Sequence, residues 1–334
     1  MTRAVLLPLA ALCLSLLPLP VAGAPVAERP LPVVDLNVHL PYQLVAQGRS
    51  LTHASGQADA PRLRRGGVIG VVLPLVGGER RARPEPAYHT LYRALWAGPE
   101  LRIPGCRRPG PGIRTWLALE GGATLAAAPT SAGLWATRGV RLFGLVHDRD
   151  GELATSAMTP PPVLTGLTPL GREVTRKVYA AGGVVDVSHA SEMTLRDVLE
   201  IARETGAPVV ASHANARALA EHPRNLTDSQ LADIGRSGGV VGISFHRRLL
   251  ARGREAELSH VVAHIRHVAK VAGIDAVAIG SGFEGGITPP HALLNATRFP
   301  RLGQALADSG MPRHEVRKVL AGNALRVLCP SKAR

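Results

Sequence analysis

Apolar residues in this chain fall into short runs separated by longer amphipathic stretches, so strand-like and helix-like periods can be told apart by eye. Eight runs have the length and β-branched content of buried strands: Val33–Val38, Val68–Leu75, Thr115–Leu119, Val140–Val146, Val184–Val187, Pro208–Ala211, Val240–Ser244 and Ala276–Gly280. Helical spacing fills several of the gaps: Leu170–Ala181 behind Thr168-Pro169, Met193–Glu204 stopping at Gly206, and Leu258–Ala272 stopping at Gly273. Thr227-Asp228-Ser229-Gln230 has the form of a capping box and opens another helix that ends at Gly238-Gly239.

Strands alternating with helices predict an α/β fold, and eight of them in about 300 residues predict a (β/α)8 TIM-like barrel. An open doubly wound sheet is the alternative. The barrel is favoured because polar, chemically capable residues follow nearly every strand: Asn37 and His39, Glu120, His147, His189, His213, His246 and Glu284. An open sheet would use only those near a switch point, whereas a barrel brings all of them to one mouth. Residues 25–334 are expected to form one such domain, with an elaborated loop at about 77–114 around a short helix candidate, Ala87–Leu95. That loop, rich in Arg, Pro and Gly, reads as a cover for the mouth. No internal repeat is evident.

The first 24 residues stand apart. Arg3, the apolar stretch Ala4–Val21 and the small residues Ala22-Gly23-Ala24 have the pattern of a secretory signal peptide, with an uncleaved anchor as the alternative. The expected location is therefore periplasmic or extracellular, with membrane association through the leader left open. Removal of the leader leaves Cys106 and Cys329, which either pair or remain inert thiols. The formal net charge of +14 would suit a nucleic-acid binder, but aromatic residues for base stacking are only 3% and no nucleic-acid motif occurs. The basic residues are overwhelmingly Arg, with lysine only at Lys177, Lys270, Lys318 and Lys332, and they form no single stripe. No nucleic-acid partner is expected.

Glu120 before Gly121-Gly122, His189 in Ser188-His189-Ala190-Ser191 and His213 in Ser212-His213-Ala214-Asn215 carry the candidate chemistry. Imidazole nitrogen and carboxylate oxygen are the usual non-thiolate ligands of zinc. Singly, each has a plainer reading as a loop cap or a hydrogen-bonded strand-end residue; on one rim they make a metal site. His260, His264 and His267 lie on one helical face that flanks the barrel and are expected to be partly solvated. Asn225-Leu226-Thr227 and Asn295-Ala296-Thr297 fit the short glycosylation pattern.

From about Val33 to Leu328 the sequence resembles the membrane (renal) dipeptidase family of zinc peptidases. The resemblance rests on Gly183-Val-Val-Asp-Val-Ser-His-Ala-Ser191, Pro208-Val-Val-Ala-Ser-His-Ala-Asn215, His222-Pro-Arg-Asn-Leu-Thr-Asp228, Gly238-Gly-Val-Val-Gly-Ile243 and Gly322-Asn-Ala-Leu-Arg326, in that order. It implies a (β/α)8 barrel holding two zinc ions bridged by a glutamate, here Glu120, with His189 and His213 on one ion. It further implies that His147 contacts the substrate and its developing oxyanion, and that Arg224 grips the terminal carboxylate of a dipeptide or small peptide-like substrate. The chemistry implied is hydrolysis of an amide by a metal-activated water.

Two segments depart from the family pattern. Where the family has a His and an Asp on the other zinc, this chain has Asn37 and His39, of which His39 is the better candidate ligand. Where the family has an Asp that shuttles protons, Gly280-Ser281-Gly282-Phe283-Glu284 places Gly282, which can do neither job; Glu284 could serve only by turning back, and His246 is a further substitute ligand. The sequence therefore predicts a dipeptidase-like hydrolase with one zinc, or two if the altered site is rebuilt, and with reduced or shifted activity. The rival is a catalytically silent pseudo-peptidase that binds a peptide or a protein. Self-association into a homo-oligomer is left open.

Overall fold

Strand parity decides what fills the middle of this molecule. Val34, Leu36, Val72, Trp116, Ala118, Leu142, Val184, Val210, Val240 and Ala278 pack together as an inner apolar cluster, while the remaining buried residues pack outward against helices. The computed structural model describes residues 30–48, 56–76, 88–93, 101–102, 106, 112–162, 165–253 and 255–330. The expected leader and most of the 77–114 segment lie outside them; residues 88–93, inside the expected helix Ala87–Leu95, are helical.

The strands are β1 (Val33–Asp35), β2 (Val68–Val76), β3 (Leu101–Arg102), β4 (Ile113–Glu120), β5 (Val140–Gly144), β6 (Val184–Asp186), β7 (Val209–Ala214), β8 (Val240–Ile243) and β9 (Val277–Ile279). Their order is β2-β1-β9-β8-β7-β6-β5-β4-β3, and parallel pairing of β2 with β4 from Gly70–Arg114 to Val76–Glu120 closes the ring. Eight strands thus form the expected closed parallel barrel. The two-residue β3, unforeseen from sequence, pairs with the start of β4. Inside the barrel Trp116 is accommodated by Gly70, where a Cβ would lie 2.9 Å from the indole.

The expected helices form at Pro169–Ala180, Glu192–Thr205, Asp228–Arg236 and Leu258–Ala272. The hydroxyls of Thr168, Ser191 and Thr227 each accept a hydrogen bond from a first-turn N–H, and the Thr227–Gln230 capping box is complete. Among the described residues no helix is long and apolar enough to cross a membrane. The helix Asn323–Leu328 closes the floor, adding Ala324, Val327 and Leu328 to the inner cluster. A disulfide between Cys329, just after this helix, and Cys106 resolves the open question about the two cysteines.

Two side chains behave differently from expectation. His264 is fully buried rather than partly solvated: its Nδ1 accepts from the Ala216 N–H at 3.1 Å, so its Nε2–H donates to the Leu250 carbonyl at 3.0 Å. It ties the loop after β7 and the end of the Arg247–Leu250 helix to the long helix. Asn225 is buried, with its amide donating to the carbonyls of Ala220 and Leu249, which leaves no room for a glycan.

Burial lowers His264 from 6.5 to about 4. The unfolded chain therefore binds this proton more readily than the folded one, so the contribution is intact above 6.5 and is lost as pH falls towards 4. Denaturation midpoints measured across this range are expected to fall with pH. In His264→Gln, whose amide can make both hydrogen bonds without titrating, the fall should be shallower.

Candidate metal centre

Glu120 is the last residue of β4, two positions beyond Ala118 and four beyond Trp116, so the same parity that buries those residues points its carboxylate into the barrel. His213 needs a different device. Val210 faces inward, so regular alternation would turn residue 213 out. The β7–β8 register slips between Ala211 and Ala214, a bulge that adds one residue to β7 and lets both Ser212 and His213 face the mouth. The bulge thrusts the Ser212 carbonyl at β8 and β9, where a Cβ on Gly242 or Gly280 would lie 2.0 and 1.7 Å from that oxygen. These two positions are glycine because nothing larger fits.

Two carboxylates, Asp35 buried and Asp186 partly buried, fix the strand ends. Asp186 Oδ1, ending β6, accepts from the N–H groups of Ser188 and Ser212, both at 3.0 Å, linking β6 to β7. Asp35 Oδ1, ending β1, accepts from the N–H groups of Asn37 (3.1 Å) and Ser281 (2.9 Å), linking β1 to β9.

At the mouth, Glu120 Oε1 lies 3.5 Å from His189 Nε2 and 3.5 Å from His213 Nε2, and those two nitrogens are 3.1 Å apart. Ligands about 2.0–2.1 Å from a four-coordinate ion sit roughly 3.3–3.4 Å from one another, so these three atoms mark one face of such a tetrahedron. Glu120 Oε2 is buried without a hydrogen-bond partner, and His39 Nε2 lies 3.8 Å from it. The donor set fits a metal ion. His147 was expected to contact the substrate and its developing oxyanion and not as a ligand; its ring stacks on His189 at 4.0 Å, and Glu120, His147 and His189 offer ligand atoms all within 4.8 Å of one another.

Protonation follows the same geometry. Burial would raise the Glu120 carboxyl, but the surrounding rings of His39, His189 and His213 outweigh it and hold the group well below its usual range. Burial, then Arg224, pushes His213 well below 6.5; burial likewise lowers His39, and burial with the neighbouring His189 takes His147 to about 4. His189 Nδ1 donates to Asp148 Oδ1 at 2.9 Å, so in the neutral ring its Nε2 faces Glu120 bare. That hydrogen bond holds Asp148 far below the ordinary carboxylate range.

The other sequence candidates are distributed unevenly. Asn37 does not occupy a ligand position; its amide lies 3.0 Å from His213 Nδ1, behind the ring. Glu284 does not turn back to the mouth. Its carboxylate accepts from the Ala58 N–H at 2.6 Å, its own N–H donates to Gln57 Oε1 and its carbonyl accepts from Gln43 Nε2, all at a φ of 66°. Those bonds make Glu284 a support for the 56–58 loop. His246 sits among Arg248, His222, Arg224 and Arg247, surroundings that repel a cation. Arg224 is anchored by Nε to the Ser188 carbonyl at 2.6 Å and by Nη1 to Asp148 at 3.5 Å, while Nη2 is buried without a hydrogen-bond partner. Asp148 and the bulge were missed by sequence reading; the only signal was an acid immediately after His147.

Gly280→Ala is expected to cost about 1–3 kcal/mol in urea unfolding by overpacking and to weaken metal binding by displacing the His213 bulge. Gly133→Ala, in a helix where a Cβ would meet nothing within 4 Å, should leave metal binding unchanged.

Comparison with known proteins agrees with this geometry. The sequence model of the membrane dipeptidase family, peptidase family M19, matches residues 107–332. The dipeptidase tcpJ of Claviceps purpurea is 34% identical over 191 residues, 57% of this chain and 44% of its own. The dipeptidase ataJ of Aspergillus terreus is 32% identical over 239 residues, 65% of this chain and 57% of its own. The chain thus spans about half the length of these curated relatives. A solved metallopeptidase of family M19, dipeptidase AC, superposes with a TM-score of 0.80 at 26% identity, covering 89% of this chain and 98% of the other. With its matched segment carrying His147, His189, His213 and Arg224, this chain belongs to the membrane dipeptidase family, M19.

Proposed function

We propose that this protein is a zinc-dependent hydrolase of dipeptides or similarly small amides, working with a single zinc ion held by Glu120, His189 and His213. The observation that carries this reading is the convergence of three buried lone-pair donors, 3.1–3.5 Å apart, beside an unpartnered carboxylate oxygen. Zinc, when bound, supplies a Lewis acid that activates water and polarises the amide carbonyl. Arg224 offers the buried donor Nη2 to the substrate's terminal carboxylate, its guanidinium already oriented by Ser188 and Asp148. His147, neutral at physiological pH, offers a ring N–H to the oxygen on which negative charge develops. Glu120 Oε2, buried without a partner, is the acceptor that would orient the attacking water.

The altered site supports one ion rather than two: Asn37 faces the back of His213 and Glu284 faces the 56–58 loop. A second reading, a silent peptide-binding module, is favoured by Gly282, whose position carries no acid. Its φ of 78° also makes any side chain there uncomfortable, although the nearest atom to a Cβ would be 3.4 Å away.

Elemental analysis of the purified protein is expected to find one zinc per chain, and His213→Ala should abolish both the zinc and dipeptide hydrolysis. Restoring Asn37→His, His39→Asp and Gly282→Asp together should bring the count to two and raise the rate by orders of magnitude. Full zinc with no hydrolysis before or after restoration would select the binding-module reading.

An exported mature protein beginning near residue 25 is supported by the Cys106–Cys329 bridge, which suits an oxidising compartment. Thiol titration of the unfolded, unreduced protein isolated from the cell envelope or medium should find no free thiol at either position. Reduction should lower the denaturation midpoint, because the bridge closes a loop across 223 positions.

A further inference from the structure

We propose that Asp186, Ser188, Ser212 and Asn37 form a hydrogen-bonded chain that locks His213 in the tautomer whose bare Nε2 faces Glu120, and that Asn37 therefore acts as a positioning residue for His213. This rests on the reading of Glu120, His189 and His213 as a metal centre.

The direction of each bond follows from the one before it. Asp186 Oδ1 is a carboxylate oxygen and can only accept, so the Ser188 hydroxyl, 2.6 Å away, donates to it. With its proton committed, Ser188 Oγ accepts, from the His213 N–H at 3.0 Å and from the Ser212 hydroxyl at 3.1 Å. Ser212 Oγ then has only lone pairs left for His213 Nδ1, 2.8 Å away. Nδ1 must carry the hydrogen, and in a neutral imidazole that leaves Nε2 unprotonated.

Asn37 fits this direction once its amide is turned. With the amide nitrogen 3.0 Å from Nδ1, two donors would face each other, and Oδ1 would remain buried with no partner. Exchanging the two ends of the amide, which have the same shape, removes the clash of donors: Oδ1 then accepts from Nδ1–H alongside Ser212 Oγ. The carboxylate of Asp148 does the same work for His189. Two rings in this arrangement point unprotonated nitrogens at one carboxylate oxygen from 3.5 Å, an arrangement a cation satisfies.

The test uses the full-length zinc-free protein, with ¹⁵N NMR of the histidine rings and zinc competition against a chromophoric chelator. His213 should show Nδ1–H and a bare Nε2 before any zinc is added. Ser212→Ala and Asn37→Leu should each weaken zinc binding about tenfold or more and shift His213 towards the Nε2–H tautomer in the zinc-free form, a change that lost stability alone would not produce. Asn37→Asp, which keeps an acceptor towards Nδ1, should retain both the tautomer and the affinity. A wild-type His213 protonated on Nε2, or full zinc affinity in Ser212→Ala, would overturn the chain. Nδ1–H in a protein that takes up no zinc would uphold the chain and overturn the metal reading instead.

Discussion

The structure is organised around an arrangement that is unfavourable by itself: a buried carboxylate oxygen and two imidazole nitrogens, all bearing lone pairs, held within 3.5 Å of one another. Removing such groups from water costs several kcal/mol unless each is paired, and here the natural pairing is a shared cation. The groups cannot relax apart because each is held from behind. Asp148 holds His189, the Ser188–Ser212 pair and Asn37 hold His213, and the barrel parity of β4 holds Glu120. The two aspartates that stitch β1 to β9 and β6 to β7 set the strand ends to which these side chains are attached.

Much of this was legible from the pattern of apolar runs. Alternation of strands and helices predicted the closed barrel, and the polar residues after the runs predicted which side chains would meet. What was not legible is direction. His213 lies on the wrong parity for an inward residue, and only a bulge, with room made by Gly242 and Gly280, turns it in. Glu284 follows a strand as Glu120 ends one, yet a left-handed backbone and three local hydrogen bonds turn it to a loop. His264 shares a helical face with His260 and His267, but burial depends on what packs across the helix, and there the Ala216 N–H and the Leu250 carbonyl meet its ring. The Cys106–Cys329 pairing brings together residues 223 apart, a contact no local pattern encodes.

The positions that differ from the family pattern are not idle. Asn37 stands behind His213, His39 stands 3.8 Å from the second oxygen of Glu120, and Glu284 fastens the 56–58 loop. Loss of function by drift would leave such positions without partners. Instead Asn37 is bound to the His213 ring and Glu284 to the 56–58 loop, which supports the proposed single-ion centre.

The same economy governs charge at the mouth. A cation site and a basic anion-binding side chain must lie close together if a substrate carboxylate is to be gripped while its amide reaches the metal, yet like charges repel across a low-dielectric space. Asp148 resolves the conflict. One of its oxygens accepts from His189 at 2.9 Å and lies 3.5 Å from Arg224 Nη1, so a single negative charge faces both the ligand ring and the guanidinium. The Arg224 Nη2 that remains without a hydrogen-bond partner is the donor that the proposed function assigns to a substrate carboxylate. On the proposed function, an acid immediately after His147 therefore does two things: it fixes the tautomer of the ligand ring His189, and it allows Arg224 to stand beside a cation.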